Sequence, residues 1–417
     1  MVAVPAGAFW RKFLAFSGPG YLVAVGYMDP GNWATGIAGG AGYGYHLLSV
    51  ILVANLAAMF LQSLAAKLGI VSGLDLAQAC RRAWGPRVSF VLWILCEIAI
   101  IACDLAELLG AAIALKLLFG LPLVWGVALI GFEVLLLLGL TRHSVRPLEA
   151  FIVCLMLVIS ACFAVELALA RPAVGAVLRG FVPSPEIVSD PAMLYIAIGI
   201  LGATIMPHNL YLHSALVKSR AYERTVQGIR QAIRYSRIDV VVALTLAIFV
   251  NGAILILAAS AFHGRGMDEV SIEDAYQLLA PALGTGAAST LFAVALLASG
   301  QNSSITGTLA GQIVLEGFTD LRIAPWMRQL ASRLLAMVPA ILAVSIWGES
   351  SVTDLLIFSQ VVLSLQLPFA VYPLVRLTGN RAWMGRFTNG RLTAVVAWTL
   401  TAGLIGLNAY LLISLTR

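Results

Sequence analysis

Two short stretches carry the residues best suited to chemistry. "GYMDPGNWAT" (26–35) sets Asp29, Pro30, Gly31 and Asn32 in a row inside the first apolar segment, and "GATIMPHNLYLHSA" (202–215) sets Met206, Pro207, His208 and Asn209 inside the sixth. Both read x-Pro-x-Asn. Proline removes a helix donor and glycine loosens the backbone, so each stretch interrupts its helix. In lipid the freed carbonyls need a partner or a polar cavity. The carbonyls expected to be free are those of Gly26 and Ala203, each three residues before the first residue of its motif. With the Asp29 carboxylate, the Asn32 amide and the Met206 thioether they make a set of oxygens plus one soft sulfur, which suits a transition-metal dication. Magnesium or calcium would be served by oxygens alone, and an amino acid would need apolar volume. A lone methionine is core packing and a lone proline kink needs no ligand. Two matched breaks around a buried Asp are harder to explain that way, because such an Asp meets a cation or takes a proton.

A second set lies away from the breaks. Glu97, Asp104 and Glu107 share one face of the third span at spacings of seven and three. His208 and His213 belong to the sixth span and Arg333 to the ninth, with Arg328 as the alternative arginine five residues earlier. Any one of these acids alone reads as a structural ion pair; three in a stripe with an arginine counter-charge fit a proton route. Glu133, Glu149 and Glu166 have no motif around them, and packing or interface roles suit them better. The Ser/Thr/Gln/Asn cluster at 299–312 either lets helices pack closely or lines an inner aqueous path.

The elements that must position these residues follow from composition. Of 417 residues 60% are hydrophobic and 11% charged, with a mean hydropathy of +0.94. That is an all-α integral membrane protein, since the apolar runs are too long and unbroken for a β-barrel. Eleven spans are expected, at 13–40, 45–69, 88–119, 122–141, 147–170, 192–216, 234–262, 287–316, 329–347, 352–375 and 392–414. With the N-terminus cytoplasmic and the C-terminus outside, twenty of the 26 Lys and Arg fall on the inner side, five outside and Arg333 within a span. The net charge of +6 is thus topological and calls for no nucleic-acid partner. The opening MVAVPAGAFWRKFLAF lacks the pattern of a cleavable signal. The five cysteines are scattered without a CxxC pair and read as small apolar residues. The breaks lie five spans apart, and an odd number of spans per unit inverts the second unit. The pattern is an inverted-repeat transporter: a first repeat at 13–170, a second at 192–375 and a final span at 392–414, with broken helices one and six meeting at the midplane.

These motifs, with "MFLQSLAAKLGIVSGLDLAQACR" (59–81), "CDLAELLGAA" (103–112) and "ASGQNSSITGTLAGQIVLEGF" (298–318), run over nearly the full length. In them the chain resembles the Nramp family of proton-coupled divalent metal transporters. The resemblance implies a LeuT-type fold and uptake of manganese or ferrous iron, with cadmium and cobalt accepted. It assigns Asp29, Asn32 and Met206 as ligands, adds the Ala203 carbonyl in some states, and brings in Gln360 of "IFSQVVLSLQ" to close the site. It also implies a pair between Asp104 and Arg333 on the proton route, with Glu107 and the helix-six histidine nearby. Many relatives carry Ala where this chain has Gly26, which still offers a carbonyl. The branch that resembles magnesium transporters departs at the metal motifs, whereas Asp29 and Met206 are kept here. The metal and the proton are then substrates, in the inner (plasma) membrane, with no resident cofactor, no obligate protein partner and the lipid bilayer as surroundings.

Three rivals make different demands. A sodium-coupled carrier of an organic solute predicts neither the sulfur ligand nor the acid stripe. A membrane metalloenzyme needs clustered His or Cys, but His46, His143 and His263 fall near loops, and His208 and His213 are not an i, i+4 pair. A channel has less use for paired broken helices than an alternating-access carrier.

Overall fold

Backbone that crosses lipid must satisfy its own hydrogen bonds, so the apolar runs form helices. The computed structural model describes residues 13, 16–140, 145–267 and 270–414, and their side chains except at 134–140, 145–149, 282, 283, 347 and 350. Arg11, Lys12, Arg142, His143 and Arg417 lie outside the described residues, as do the side chains of Arg146 and Glu149. In chain order the principal helices are α1 (Pro19–Gly26), α2 (Pro30–Tyr43), α3 (Leu48–Ser72), α4 (Leu76–Phe119), α5 (Leu123–Leu140), α6 (Val145–Ala170) and α7 (Pro191–Ile205). They continue with α8 (Pro207–Leu216), α9 (Val226–Ala261), α10 (Ile272–Leu283), α11 (Gly286–Thr319), α12 (Pro325–Trp347), α13 (Val352–Thr378) and α14 (Arg391–Ser414).

Among the described residues, eight segments are long and apolar enough to cross a membrane, the segment Pro191–Ser219 running through the sixth-span break. The other three expected spans miss that standard for separate reasons. The first is cut into pieces of 8 and 14 residues at Asp29-Pro30. In the fourth only Leu123–Glu133 is fully described. The eighth, α11, has full length but a polar middle.

Helix ends differ most from expectation where charged turns extend an apolar run. α4 begins at Leu76 rather than 88, carries Arg81, Arg82 and Arg87, and bends at Gly85 (φ 80°, ψ 177°) just before Pro86. Its start is fixed by a capping box, Asp75 accepting from Gln78 N at 2.9 Å and the Gln78 side chain from Asp75 N at 3.2 Å. α9 begins at Val226 rather than 234, capped by Thr225. Hydropathy marks where lipid begins; the cap marks where the helix begins.

α4 and α11 lie along one another at the centre, with α6 against α11, α5 and α12 against α4, and α13 against α4 and α7. α14 rests on α13 and α7, beside this core. Trp33 of α2 is fully buried between Phe163 of α6 and Phe292 of α11, with ring centroids 4.9 and 5.0 Å away. The start of α1 is tied to α9, where Asp239 accepts from Ser17 Oγ (3.0 Å), Gly18 N (3.3 Å) and Gly20 N (2.6 Å). Arg220 donates to the carbonyls of Phe16 and Ser17 at 3.4 and 3.1 Å. The Pro30 ring, which opens α2, sits against Gly110 of α4, where any side chain would collide with it.

Candidate metal centre and the adjoining ion-pair cluster

Both helix breaks are present. Between α1 and α2, Asp29 is extended (φ −66°, ψ 164°) and caps α2, with Pro30 at the first helical position. Between α7 and α8 the single residue Met206 (φ 8°, ψ 108°) joins two helices, again with Pro next. The fourth residue after Gly26 is Pro30, and after Ala203 it is Pro207, so neither carbonyl can receive the helical N–H. Other break carbonyls are met by side chains: Asn251 of α9 donates to Tyr27 O at 2.8 Å and Ser299 of α11 to Met28 O.

The expected ligands fall into a connected group. The Asn32 amide nitrogen donates to Asp29 Oδ1 at 2.6 Å and to Ala203 O at 3.1 Å, spanning the two breaks. Asn32 N also reaches Asp29 Oδ1, at 2.9 Å. Met206 is buried among Ala99, Cys103 and Leu363, and its sulfur accepts from Asn209 Nδ2 at 3.4 Å. Gly26 lies opposite that pair: a Cβ there would stand 3.3 Å from the Met206 sulfur and collide with the Asn209 amide. Gln360 of α13 packs across Gly31, where a Cβ would strike its amide, and donates to Ser359 Oγ at 2.9 Å.

Charge and satisfaction are unequal here. Asp29 is completely buried, and its Oδ2 accepts no hydrogen bond among the described residues. The same holds for Gln360 Oε1 and Asn209 Oδ1. Buried acceptors without donors are costly, typically about 1–3 kcal/mol each and more for a charged group. Their arrangement suits a cation, for which an oxygen lone pair with no proton to hold is the right ligand. Asn209 was noticed in the sequence only as half of the matched motif; its second-break position was the signal for a role at the site.

The acid stripe divides in two. Arg333 of α12 stands 2.9 Å from Glu107 Oε2 and 3.8 Å from Asp104 Oδ1, all three side chains being 1% exposed. Ser303 donates to Glu107 Oε1 at 2.8 Å, Ser332 to Asp104, and Arg333 also contacts Ser304. Gly307 of α11 leaves the room: a Cβ there would sit 3.1 Å from Glu107 and 3.5 Å from Asp104. Glu97 pairs instead with Arg328, at 2.9 Å, so the two candidate arginines serve different acids. Ser303, Ser304, Gly307 and Ser332 were missed as individuals, although the first three lie in the polar 299–312 stretch.

The histidines also separate. His208 directly follows Pro207 at the break and is 2% exposed; its Nδ1 has no partner among the described residues. His213, five residues along α8, lies within hydrogen-bond distance of Gln62 Oε1 (3.1 Å), and Gln62 in turn donates to Tyr27 OH at 2.8 Å. That chain joins α8, α3 and the α1 break and is distinct from the acid cluster. At the end of the bundle where α2 stops, a cavity of about 780 Å³ is lined by Glu273, Asp274, Glu349 and Asp354 and reaches Ile357, three residues before Gln360.

Comparison with known proteins places this geometry. The family model described as natural resistance-associated macrophage protein-like (Nramp) matches residues 20–414. The divalent metal cation transporter MntH of Bradyrhizobium diazoefficiens is 57% identical over 413 residues, covering 99% of this chain and 92% of the relative. A crystal structure of the Eremococcus coleocola manganese transporter superposes with a TM-score of 0.90 at 44% identity, covering 99% of this chain and 89% of that one. Mhp1, a nucleobase-cation-symport-1 family transporter, matches with a TM-score of 0.60 at 17% identity over 95% of this chain and 91% of its own, which shows the fold alone. That fold is the LeuT type that the resemblance implied. On the match over residues 20–414, the chain belongs to the Nramp family of membrane metal-ion transporters and is not an enzyme.

Proposed function

We propose that this chain imports manganese or ferrous iron, accepting cadmium and cobalt, in exchange for the energy of protons that enter with the metal. The observation that carries the reading is the Asn32 amide, which links the Asp29 carboxylate of one break to the Ala203 carbonyl of the other while Asp29 Oδ2 has no donor among the described residues. Asp29 supplies the formal charge, Asn32, Ala203 and Gly26 supply neutral oxygens, and Met206 supplies the soft ligand that favours a transition metal. Gln360 closes the site from α13. Manganese as cargo is supported by the similar proteins, one of them the Eremococcus coleocola manganese transporter.

The proton leaves by a different route, through Asp104, Glu107 and Arg333, with His208 between the metal break and the acids and Glu97 with Arg328 further along. His213 belongs to the polar chain of Gln62 and Tyr27 on the opposite flank. Residues 13–170 and 192–375 act as two inverted halves that rock about the breaks, with 392–414 outside the moving parts. The acid-lined cavity is the entrance, facing outward, with both the N-terminus and the Arg-rich loops in the cytoplasm and the C-terminus outside. The protein works in the plasma membrane without an obligate protein partner.

The test is manganese uptake into proteoliposomes with and without a pH gradient that is acid outside, with a lumenal pH dye read in parallel. Uptake should rise with the gradient, and manganese alone should drive acidification. Manganese entry that ignores the gradient and carries no protons would remove the coupling from this reading.

A further inference from the structure

At the end of the bundle away from the acid-lined cavity, a second cavity of about 440 Å³ is lined by Lys67, Arg230, Arg234, Arg237 and Arg386, with Ile233, Ile238 and Phe387. Its size falls within the range of roughly 300–1,000 Å³ usual for ligand sites. The cations come from three separate parts of the chain. Lys67 lies in the last turns of α3, and Arg386 lies in the short segment Gly385–Phe387. Arg230, Arg234 and Arg237 occupy successive turns of one face of α9, spaced four and three apart.

Two features separate this cluster from the scattered basic residues that flank any membrane span. First, among the described residues no carboxylate lines the cavity and none of the five cations forms an ion pair; Lys67 donates instead to the neutral Asn389 side chain. At the opposite cavity, by contrast, two of the lining acids, Glu273 and Glu349, are both paired with Lys116. Five like charges gathered without a counter-ion repel one another, and an anion relieves that repulsion. Second, the next turns of α9 present Val241 and Val242, 42% and 45% exposed, to the surroundings. The basic face therefore stands where the apolar part of a membrane helix gives way to the headgroup layer.

We propose that this cavity binds a phosphate group, carried by the headgroup of an anionic phospholipid. Guanidinium groups pair with phosphate oxygens by two parallel hydrogen bonds, and Arg230, Arg234 and Arg237 offer three such forks on one face. Ile233, Ile238 and Phe387 give the glycerol and upper acyl carbons an apolar wall. The bound lipid would join α3, α9 and the segment before α14, elements that supply none of the proposed metal ligands.

The test reads binding, not transport, so it is independent of the metal reading. The full chain, in a neutral detergent, is titrated with phosphatidylglycerol, with phosphatidylcholine and with inorganic phosphate, and bound lipid is followed by native mass spectrometry and phosphate by thermal shift. Phosphatidylglycerol should bind about tenfold or more tighter than phosphatidylcholine, and Arg230→Gln/Arg234→Gln/Arg237→Gln should lose at least that factor. The Arg230→Lys/Arg234→Lys/Arg237→Lys chain, which keeps charge but not the forks, should retain a preference for the anionic lipid and confirms that loss in the Gln chain is not unfolding. Failure of millimolar phosphate to displace the lipid assigns the group to a headgroup. Protection by phosphate in wild type but not in the Gln chain, without lipid preference, assigns it to a soluble phosphate. If the Gln chain binds phosphatidylglycerol and phosphate as wild type does, the cavity is no phosphate site.

Discussion

Asp29 and the Asp104–Glu107 pair are equally deep in the protein, and they are treated in opposite ways. Asp104 and Glu107 have a guanidinium within 3.8 and 2.9 Å and serine hydroxyls on both carboxylates. Asp29 has no cation in reach among the described residues; its Oδ1 is held by Asn32 and its Oδ2 accepts nothing. Two carboxylates that share one guanidinium leave a single negative charge over, which one proton can fill. A carboxylate whose counter-charge is missing is completed by a cation that arrives and departs. The difference between the two regions is where the positive charge comes from, and on the proposed function that is what would separate a relay from a cargo site.

Substitutions that exchange these conditions test the contrast. The largest effect belongs to Arg333→Met, which strips the acid pair of its counter-charge and leaves two buried acids together. It should cost about 3–5 kcal/mol of stability, seen as a large fall in melting temperature in detergent. Adding Glu107→Gln should recover a good part of that. Were Arg333→Met as stable as wild type, the acids would not depend on it.

Asp29→Asn should do the reverse. An amide is easier to bury than an unpaired carboxylate, so the melting temperature should hold or rise. Manganese binding by calorimetry should weaken by about a hundredfold, roughly 3 kcal/mol, in line with losing a charged partner. Uptake near wild-type level in a well-folded Asp29→Asn chain would take the metal away from this break.

Asp104→Asn sharpens the division. Manganese affinity should stay within about threefold, roughly 0.7 kcal/mol, while metal-driven proton entry into liposomes falls much further. An affinity loss as deep as that of Asp29→Asn would merge the two regions into one site.

The last effect is one of selectivity rather than of overall transport. Met206→Ala should weaken cadmium most and manganese modestly, and let calcium or magnesium compete, because water can take the place of a thioether that hard ions do not want. A change of about tenfold in relative affinity corresponds to about 1.4 kcal/mol. Uptake of manganese against millimolar calcium and magnesium measures it. If the variant rejects both as wild type does, Met206 is packing against Ala99, Cys103 and Leu363 and nothing more.

The breaks were legible because proline, glycine and a charge are conspicuous against apolar helix, and because the same pattern occurs twice. The side-chain chemistry around them was legible only where a residue is costly in lipid. Asp29, Asp104, Glu107 and Arg333 announce themselves by charge. Ser303, Ser304 and Ser332, which hold the acids, do not, since serine is common in packed membrane helices. Gly307, which makes room for the acids, carries no signal beyond being small. The division of Glu97 from its neighbours depends on which arginine reaches it, a matter of helix rotation that a spacing of seven leaves open. Helix starts were read late at α4 and α9 because hydropathy ends before the helix does.

α11 has one more consequence, for the order in which the chain is made. Its middle, from Ser299 to Thr308, holds Gln301, Asn302, Ser303, Ser304 and Thr306, and most of these are buried against α4, α6 and their neighbours. A segment like this is a poor solute for bare lipid, although it is long enough to cross it. Its stable position exists only once α4, synthesised some two hundred residues earlier, is there to receive it. Biogenesis of the transporter therefore has a late step in which a reluctant helix is admitted by its partners. Among the residues that make α11 hard to insert, Ser303 holds the Glu107 carboxylate in the finished protein and Ser304 meets its Arg333 partner.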